Sequence, residues 1–386
     1  MYKIKTLNEI ANEGLNLFSK DYTLGKLDDC DAILVRSANM LEYAFLAELK
    51  AIARAGVGVN NIPLELCAEK GIVVFNTPGA NANAVKELVL ASLIISSREL
   101  VSAIDWAKGL VNEKEKIPAL VETGKSQFSG LELKGKTLGV IGLGAVGVLI
   151  ANAANSLGMN VLGYDPYISV NSAWGLSRNV KRALSIDEVY GEADYITLHV
   201  PFIDATKGII NKAAIKKMKT GVRLINFARA ELIDEEALLA GLSTNKVAKY
   251  ITDFPNERTL AMPNTINIPH LGASTAESEI NCAIMAVNEI SDYLENGNIK
   301  NSVNYPDCDM GVCHSEARLS INHRNIPNMV GQITAVMGQH SINIANMLNM
   351  SKKNWAYTLL DLEGSISPEV ITAISQIEGV VKVRKL

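Results

Sequence analysis

Apolar residues along the chain come in short runs separated by stretches that repeat at helical spacing. Ala32–Val35, Leu49–Ile52 and Ile72–Phe75 read as strands, and the segments between them as helices, so residues 1 to about 98 predict βα units of a parallel sheet. A long helix is predicted from Val85 to about Val111. From Thr137 the pattern tightens into a strand (Leu138–Ile141), a glycine turn, a small-residue helix closed by Gly158, and a strand from Val161 to Tyr164. Further strands are predicted at Ile196–Val200, Arg223–Phe227, Ala248–Ile251 and Thr265–Ile268. The helix that follows, Ala276–Glu295, carries Ile280, Ala283, Ile284, Val287, Ile290 and Leu294 on one face. After a linker without periodicity comes strand (Arg318–Asn322), helix (Asn328–Gln339), strand (Ile344–Met350), strand (Tyr357–Leu362), helix (Pro368–Gln376) and strand (Val380–Arg384). That βαββαβ order is ferredoxin-like.

The expected fold is therefore α/β, with two Rossmann-like doubly wound parallel-sheet domains and a small C-terminal ferredoxin-like one. A flavodoxin-like first domain takes residues 1–98 and 273–306, a nucleotide domain is inserted as 99–272, and 315–386 form the third unit. Gly142, Gly144 and Gly147 stand at G-x-G-x-x-G spacing, between a strand and a helix. The first permits the tight turn, the second lets a diphosphate approach the backbone, and the third lets helix and strand pack closely. The unpaired amides of Ala145 and Val146 at the helix start favour an anion. Asp165 ends the next strand, about twenty residues on, where a carboxylate bonds ribose hydroxyls and repels a 2′-phosphate. NAD is the expected cofactor.

Composition narrows the partners. With 37 Lys+Arg against 41 Asp+Glu the net charge is −4, and no basic run marks a nucleic-acid footprint. The longest apolar run, Leu88–Ile95, is too short to span a bilayer, and the N-terminus lacks the apolar core of a signal peptide. A cytoplasmic protein without membrane partners is expected. The five cysteines fall at unrelated spacings, and Cys308, Cys313 and His314 lack a second ligand pair, so no metal is expected.

Arg229, Glu257 and His270 each fall at a strand end in the nucleotide half. Beside a hydride acceptor they form a coherent set. Oxidising a secondary alcohol needs a base for the hydroxyl proton, a role that suits imidazole. A neighbouring carboxylate steadies imidazolium, and a guanidinium forks onto a substrate carboxylate.

The segments INFARAELIDEEAL, ITDFPNE and IPHLGAST, carrying Arg229, Glu257 and His270, resemble the D-isomer-specific 2-hydroxyacid dehydrogenases. ILVRSA, ARAGVGVNNI and VFNTPGANANAVKELV resemble the members of that family that oxidise 3-phosphoglycerate, and the C-terminal unit resembles an ACT regulatory domain. The resemblance implies that His270 is the acid/base, Glu257 its partner and Arg229 the substrate-orienting residue. It places His199, Pro201, Ala228, Arg229, Asp253, His270 and Gly272 with the glycine turn around NAD. Ser37, Val57, Gly58 and Asn81 would surround the substrate carboxylate and hydroxyl, and Arg36 and Arg54 its phosphate. His323, Asn325 and Asn343 match positions that bind L-serine between two ACT domains, which implies feedback on the first step toward serine.

Five positions depart from the family pattern: Ala230 and Glu231 after the catalytic Arg, Thr252 where an acid is usual (with Asp253 one step along), Ala38 in place of a basic residue, and Asn328 in place of glycine. The apolar region Val85–Leu110 suits a subunit interface, so at least a homodimer is expected, and a homotetramer if ACT domains pair. A related hydroxypyruvate/glyoxylate reductase or erythronate-4-phosphate dehydrogenase, or a non-enzymatic sensor of NAD or amino acids, remain as alternatives.

Overall fold

A computed structural model of the chain describes residues 1–25 and 29–386. By contacts it divides into two units, Met1–Asn81 with Ala276–Leu386, and Ala82–Thr275.

The first unit holds β1 (Tyr2–Thr6), β2 (Tyr22–Gly25), β3 (Ala32–Val35), β4 (Ala51–Arg54) and β5 (Val73–Phe75), all parallel in the order β2-β1-β3-β4-β5. β3 and β5 are buried at every residue, as parallel strands covered on both faces must be. The helix Ala276–Asn296 covers one face, setting Ala283, Ala286, Val287 and Ile290 against Leu34, Ala53 and Phe75. Strand order reverses between β1 and β3, so the crevice for ligands opens at their carboxyl ends.

The second unit holds β6 (Thr137–Ile141), β7 (Asn160–Tyr164), β8 (Lys181–Arg182), β9 (Tyr195–Leu198), β10 (Val222–Asn226), β11 (Val247–Thr252) and β12 (Thr265–Asn267). They form one parallel sheet ordered β12-β11-β10-β9-β6-β7-β8, the doubly wound arrangement with its reversal between β6 and β9. The helix expected from Val85 to Val111 is two helices, Ala82–Ser97 and Leu100–Gly109. Ser96 and Ser97 turn their hydroxyls back onto the Leu93 carbonyl, and Ser97 O accepts Leu131 N–H at 2.9 Å instead of continuing the helix ladder. Neither Leu100–Gly109 nor the helix Ile117–Gly124 buries a residue, and Leu100, Val101, Ile104, Val111 and Val121 are exposed.

The C-terminal β13 (Ala317–Arg324), β14 (Asn343–Lys352), β15 (Trp355–Glu363) and β16 (Val380–Lys385) form an antiparallel sheet ordered β14-β15-β13-β16, the ferredoxin-like arrangement. Helices Met329–Gln339 and Pro368–Ser375 cover the face carrying Leu319, Ile321, Leu360 and Leu362. The opposite face is also buried, because Trp355, Tyr357 and Leu359 join Tyr293, Ile290 and Tyr305 in the first unit's core. Cations fasten this seam. Arg318 Nη1 donates to Asn296 O (2.9 Å) and Gly311 O (2.7 Å), Arg384 Nη2 to Leu294 O (2.9 Å), and Lys382 Nζ to Leu49 O (2.6 Å). Asn328, standing where relatives carry glycine, takes φ +64°, a left-handed conformation that asparagine tolerates. Among the described residues no helix is long and apolar enough to cross a membrane.

Candidate active site

The phosphate turn follows β6. Gly142 sits at φ +95°, and a Cβ there would lie 2.5 Å from His199 O. Gly147 is tighter, since its Cβ would meet Gly142 O at 1.9 Å. Gly144, by contrast, faces open space and caps the helix Ala145–Ser156 without a side-chain partner, leaving the helix-start amides of Ala145 and Val146 to a ligand. Asp165, half-buried at the end of β7, accepts Leu143 N–H (2.9 Å) and Tyr167 N–H (2.8 Å), which holds the carboxylate beside the turn. Gly147→Ala is expected to abolish NADH binding in a fluorescence titration, because the added methyl must displace backbone rather than a flexible side chain.

His199 follows β9 on the other side of the reversal, with the exposed Pro201 just beyond it. Its Nε2 lies 2.7 Å from Thr197 Oγ1, and burial pushes its pKa down to about 3, so the ring is neutral.

Three neighbouring strands deliver the chemistry. At the end of β10, Asn226 receives the turn: its Nδ2 donates to Arg229 O (2.8 Å) and its Oδ1 accepts Ala228 N–H (3.1 Å), leaving the Arg229 side chain exposed. Beyond β12 lies His270, whose ring meets Phe254 edge-on with centroids 5.0 Å apart. Beyond β11 lies Asp253, 1% exposed. Its Oδ2 accepts Gly272 N–H at 3.1 Å, and its Oδ1 has no partner. Burial raises the Asp253 pKa, opposed by the Gly272 amide and by the charges of His270 and Arg229. Thr252, in the usual position of the acid, is occupied, its Oγ1 accepting Phe254 N–H at 3.1 Å. Glu257 is exposed at the first position of the helix Glu257–Ala261. Among the described residues no hydrogen bond or ion pair joins it to His270.

These features fit a nicotinamide dinucleotide: a glycine cradle that a Cβ would fill, open helix-start amides, a carboxylate at the ribose position, and a buried acid with one oxygen unspoken for.

In the first unit, the carboxyl ends of β1 and β3 hold a second cluster. The amides of Arg36, Ser37 and Ala38 all donate to Asn8 Oδ1 at 2.9–3.0 Å. Sequence reasoning missed Asn8; its place just beyond a strand that pairs next to Arg36-Ser37 was the available signal. Arg36 pairs with Glu279. Arg54 Nε donates to Arg36 O (2.9 Å), and its Nη1 lies 3.0 Å from where a Cβ on Gly56 would stand and 3.4 Å from one on Gly58. Burial lowers the Arg54 pKa, and Arg36 adds to that. Val57 is exposed, its carbonyl accepting Asn76 Nδ2 (2.6 Å), while Asn81 is half-buried at the unit's edge.

In the C-terminal unit His323 is buried, with Nδ1 2.8 Å from Arg324 O and Nε2 2.9 Å from Thr358 Oγ1, so both ring nitrogens are engaged. Asn325 does not cap the following helix; its Nδ2 donates to Lys353 O at 3.0 Å. Asn343 donates to Glu363 from the opposite end of the 10-residue β14, about 30 Å away at ~3.3 Å per residue. One chain alone does not bring the three together.

Residues 94–272 match the model of the D-isomer specific 2-hydroxyacid dehydrogenase NAD binding domain. The match falls within the second unit, which is therefore an NAD-binding domain of this kind. Among curated relatives it is 36% identical over 314 residues to D-3-phosphoglycerate dehydrogenase of Methanocaldococcus jannaschii, covering 79% of this chain and 57% of that one. It is 34% identical over 297 residues to the enzyme of that name from Homo sapiens, covering 74% and 53%. The chain thus spans little more than half the length of these relatives. A solved 3-phosphoglycerate dehydrogenase from Entamoeba histolytica with bound NAD+ superposes with a TM-score of 0.60 at 29% identity, covering 78% of this chain and 98% of that one.

Proposed function

We propose that the protein oxidises D-3-phosphoglycerate to 3-phosphohydroxypyruvate with NAD. The observation that carries this reading is the convergence of charge at the ends of three adjacent parallel strands, where Asp253 responds to both His270 and Arg229. NAD, when bound, supplies the hydride acceptor for C2. His270 takes the hydroxyl proton as the C2–O bond becomes a carbonyl, a transfer that requires hydrogen-bond reach. Arg229 is exposed, with Nη1 on Ala228 O at 2.7 Å; on exchanging that bond it holds the substrate carboxylate and stabilises charge at the carbonyl oxygen. Asp253 Oδ1 accepts from the nicotinamide carboxamide, the role its neighbour Thr252 has vacated. Glu257 steadies the imidazolium once the loop tightens around ligands, since catalytic hydrogen bonds are often long in their absence.

The phosphate of the substrate suits Arg36 and Arg54, with Ser37 and the amides near Val57 and Gly58 at the carboxylate end and Asn81 at the hydroxyl. With Asp165 present, NAD is preferred over NADP. The test is a panel of NADH with 3-phosphohydroxypyruvate, hydroxypyruvate and pyruvate. Selective turnover of the phosphorylated acid supports the reading, and equal efficiency for all three removes the phosphate site.

Two assembly features belong to the same reading. The exposed apolar residues on Leu100–Gly109 and Ile117–Gly124 form the interface of a homodimer. Sedimentation at twice the chain mass, reverting to the monomer for Ile104→Asp, is expected. L-serine binds between two C-terminal units, with Asn325 from one chain and Asn343 from the other, and slows turnover through a coupling of about 1–3 kcal/mol. Pairing two chains would bring together residues that one chain holds far apart.

A further inference from the structure

A cavity of about 560 Å³ opens in the first unit between the Gly79–Ala80 turn and the helix Ala276–Asn296. Its size is that of a small-molecule site. In its wall stands Glu289, 8% exposed. One carboxyl oxygen accepts Asn301 Nδ2 at 2.9 Å, and the other has no hydrogen-bond partner. We propose that this cavity binds a small primary ammonium compound with a short aliphatic body, its charged head on the Glu289 carboxyl.

The charges around Glu289 argue for a cation from outside. Lys300 also lines the cavity but is paired with Asp309 at 2.7 Å. Asp292 also lines the cavity, with its Oδ1 accepting from the amides of Asn296 (3.0 Å) and Asn298 (2.9 Å). Asp307 adds only further negative charge against Glu289. A buried carboxyl with one oxygen unmatched is costly, and a donor that is also a cation relieves both the missing hydrogen bond and the charge. Burial, with Asp307 behind it, pushes the Glu289 pKa up to about 8, so near neutral pH the group holds its proton until a cation arrives. Ile284 and Met285 offer the apolar wall for a carbon chain, and the exposed amides of Asn281 and Asn288 lie at the same surface. The far wall, Gly79–Ala80, leads directly into Asn81, so an occupant sits against the turn that carries this substrate candidate.

Calorimetric titration of the full-length protein near pH 7 tests the assignment with four probes: n-butylammonium, L-norvaline, 1-butanol and butyrate. Saturable one-site binding of n-butylammonium is expected, with no binding of butanol or butyrate. Norvaline binding as well identifies amino acids as the source of the ammonium group, and its failure to bind identifies simple amines. Titrations in two buffers of different ionisation enthalpy should show proton release on binding, as Glu289 ionises against the cation. Glu289→Gln, nearly isosteric, should weaken binding at least tenfold and abolish the proton release. Met285→Trp, which fills the cavity from one turn earlier on the same helix, should also block binding. Absence of saturable binding by both ammonium probes, or equal affinity in Glu289→Gln, overturns the proposal.

Discussion

Replacing His270 with asparagine is expected to lower kcat by roughly 10²–10⁴-fold, the range that a positioned acid/base supplies. NADH binding should be unchanged, because the phosphate turn, Asp165 and Asp253 stand on other strands of the sheet. The side chain is an informative target for a structural reason. Its only ring contact among the described residues is the edge of Phe254, so its removal disturbs no hydrogen-bond network that holds the sheet. A fall in kcat with KM little changed identifies a proton-transfer group. Retention of most of the activity would assign the proton to another residue.

The largest expected effect on stability lies far from this site. Arg318 is fully buried and grips Asp361 through Nε and Nη2 while Nη1 holds two backbone carbonyls. Arg318→Ala strands Asp361, itself 5% exposed, without its cation, a change that costs about 3–5 kcal/mol. Urea unfolding followed by the fluorescence of Trp355, which packs on the same buried face, should show the transition moving to lower denaturant. The double replacement Arg318→Met with Asp361→Leu should recover most of the loss, since a well-packed apolar pair removes the stranded charge. An unmoved transition in Arg318→Ala would show that the seam between the C-terminal sheet and the first unit carries little of the stability.

That seam marks where sequence reading ran short. The βαββαβ order was legible because each element is local, and strands and helices announce themselves by their own periodicity. What the sheet packs against is not local. Nothing in the strand pattern around Arg318, Lys382 and Arg384 tells that each is turned onto backbone carbonyls outside the sheet. The available signal was β15 itself: WAYTLLDL lacks the polar alternation of a half-exposed strand, and its residues up to Leu362 are buried on both faces.

The nucleotide-binding unit was legible in the chain for the opposite reason. Its glycines, helix start and acid fall within one strand-turn-helix-strand unit. Arg229, Glu257 and His270 stood out at predicted strand ends and took their roles from the resemblance, but the link between Asp253 and His270 crosses two strand ends and has no spacing that reveals it. Asn8 was missed for the same reason, since three amides just beyond a neighbouring strand give it its place.

The central claim is that the imidazole at 270 and the guanidinium at 229 meet one small phosphorylated acid before the nicotinamide ring. A crystal structure of the ternary complex with NADH and 3-phosphohydroxypyruvate tests this most directly. His270 is expected at about 3 Å from the C2 oxygen, with Arg229 forked on the carboxylate and the phosphate on Arg36 or Arg54. A nicotinamide ring turned away from His270, or a substrate oxygen met by some other side chain, would contradict it.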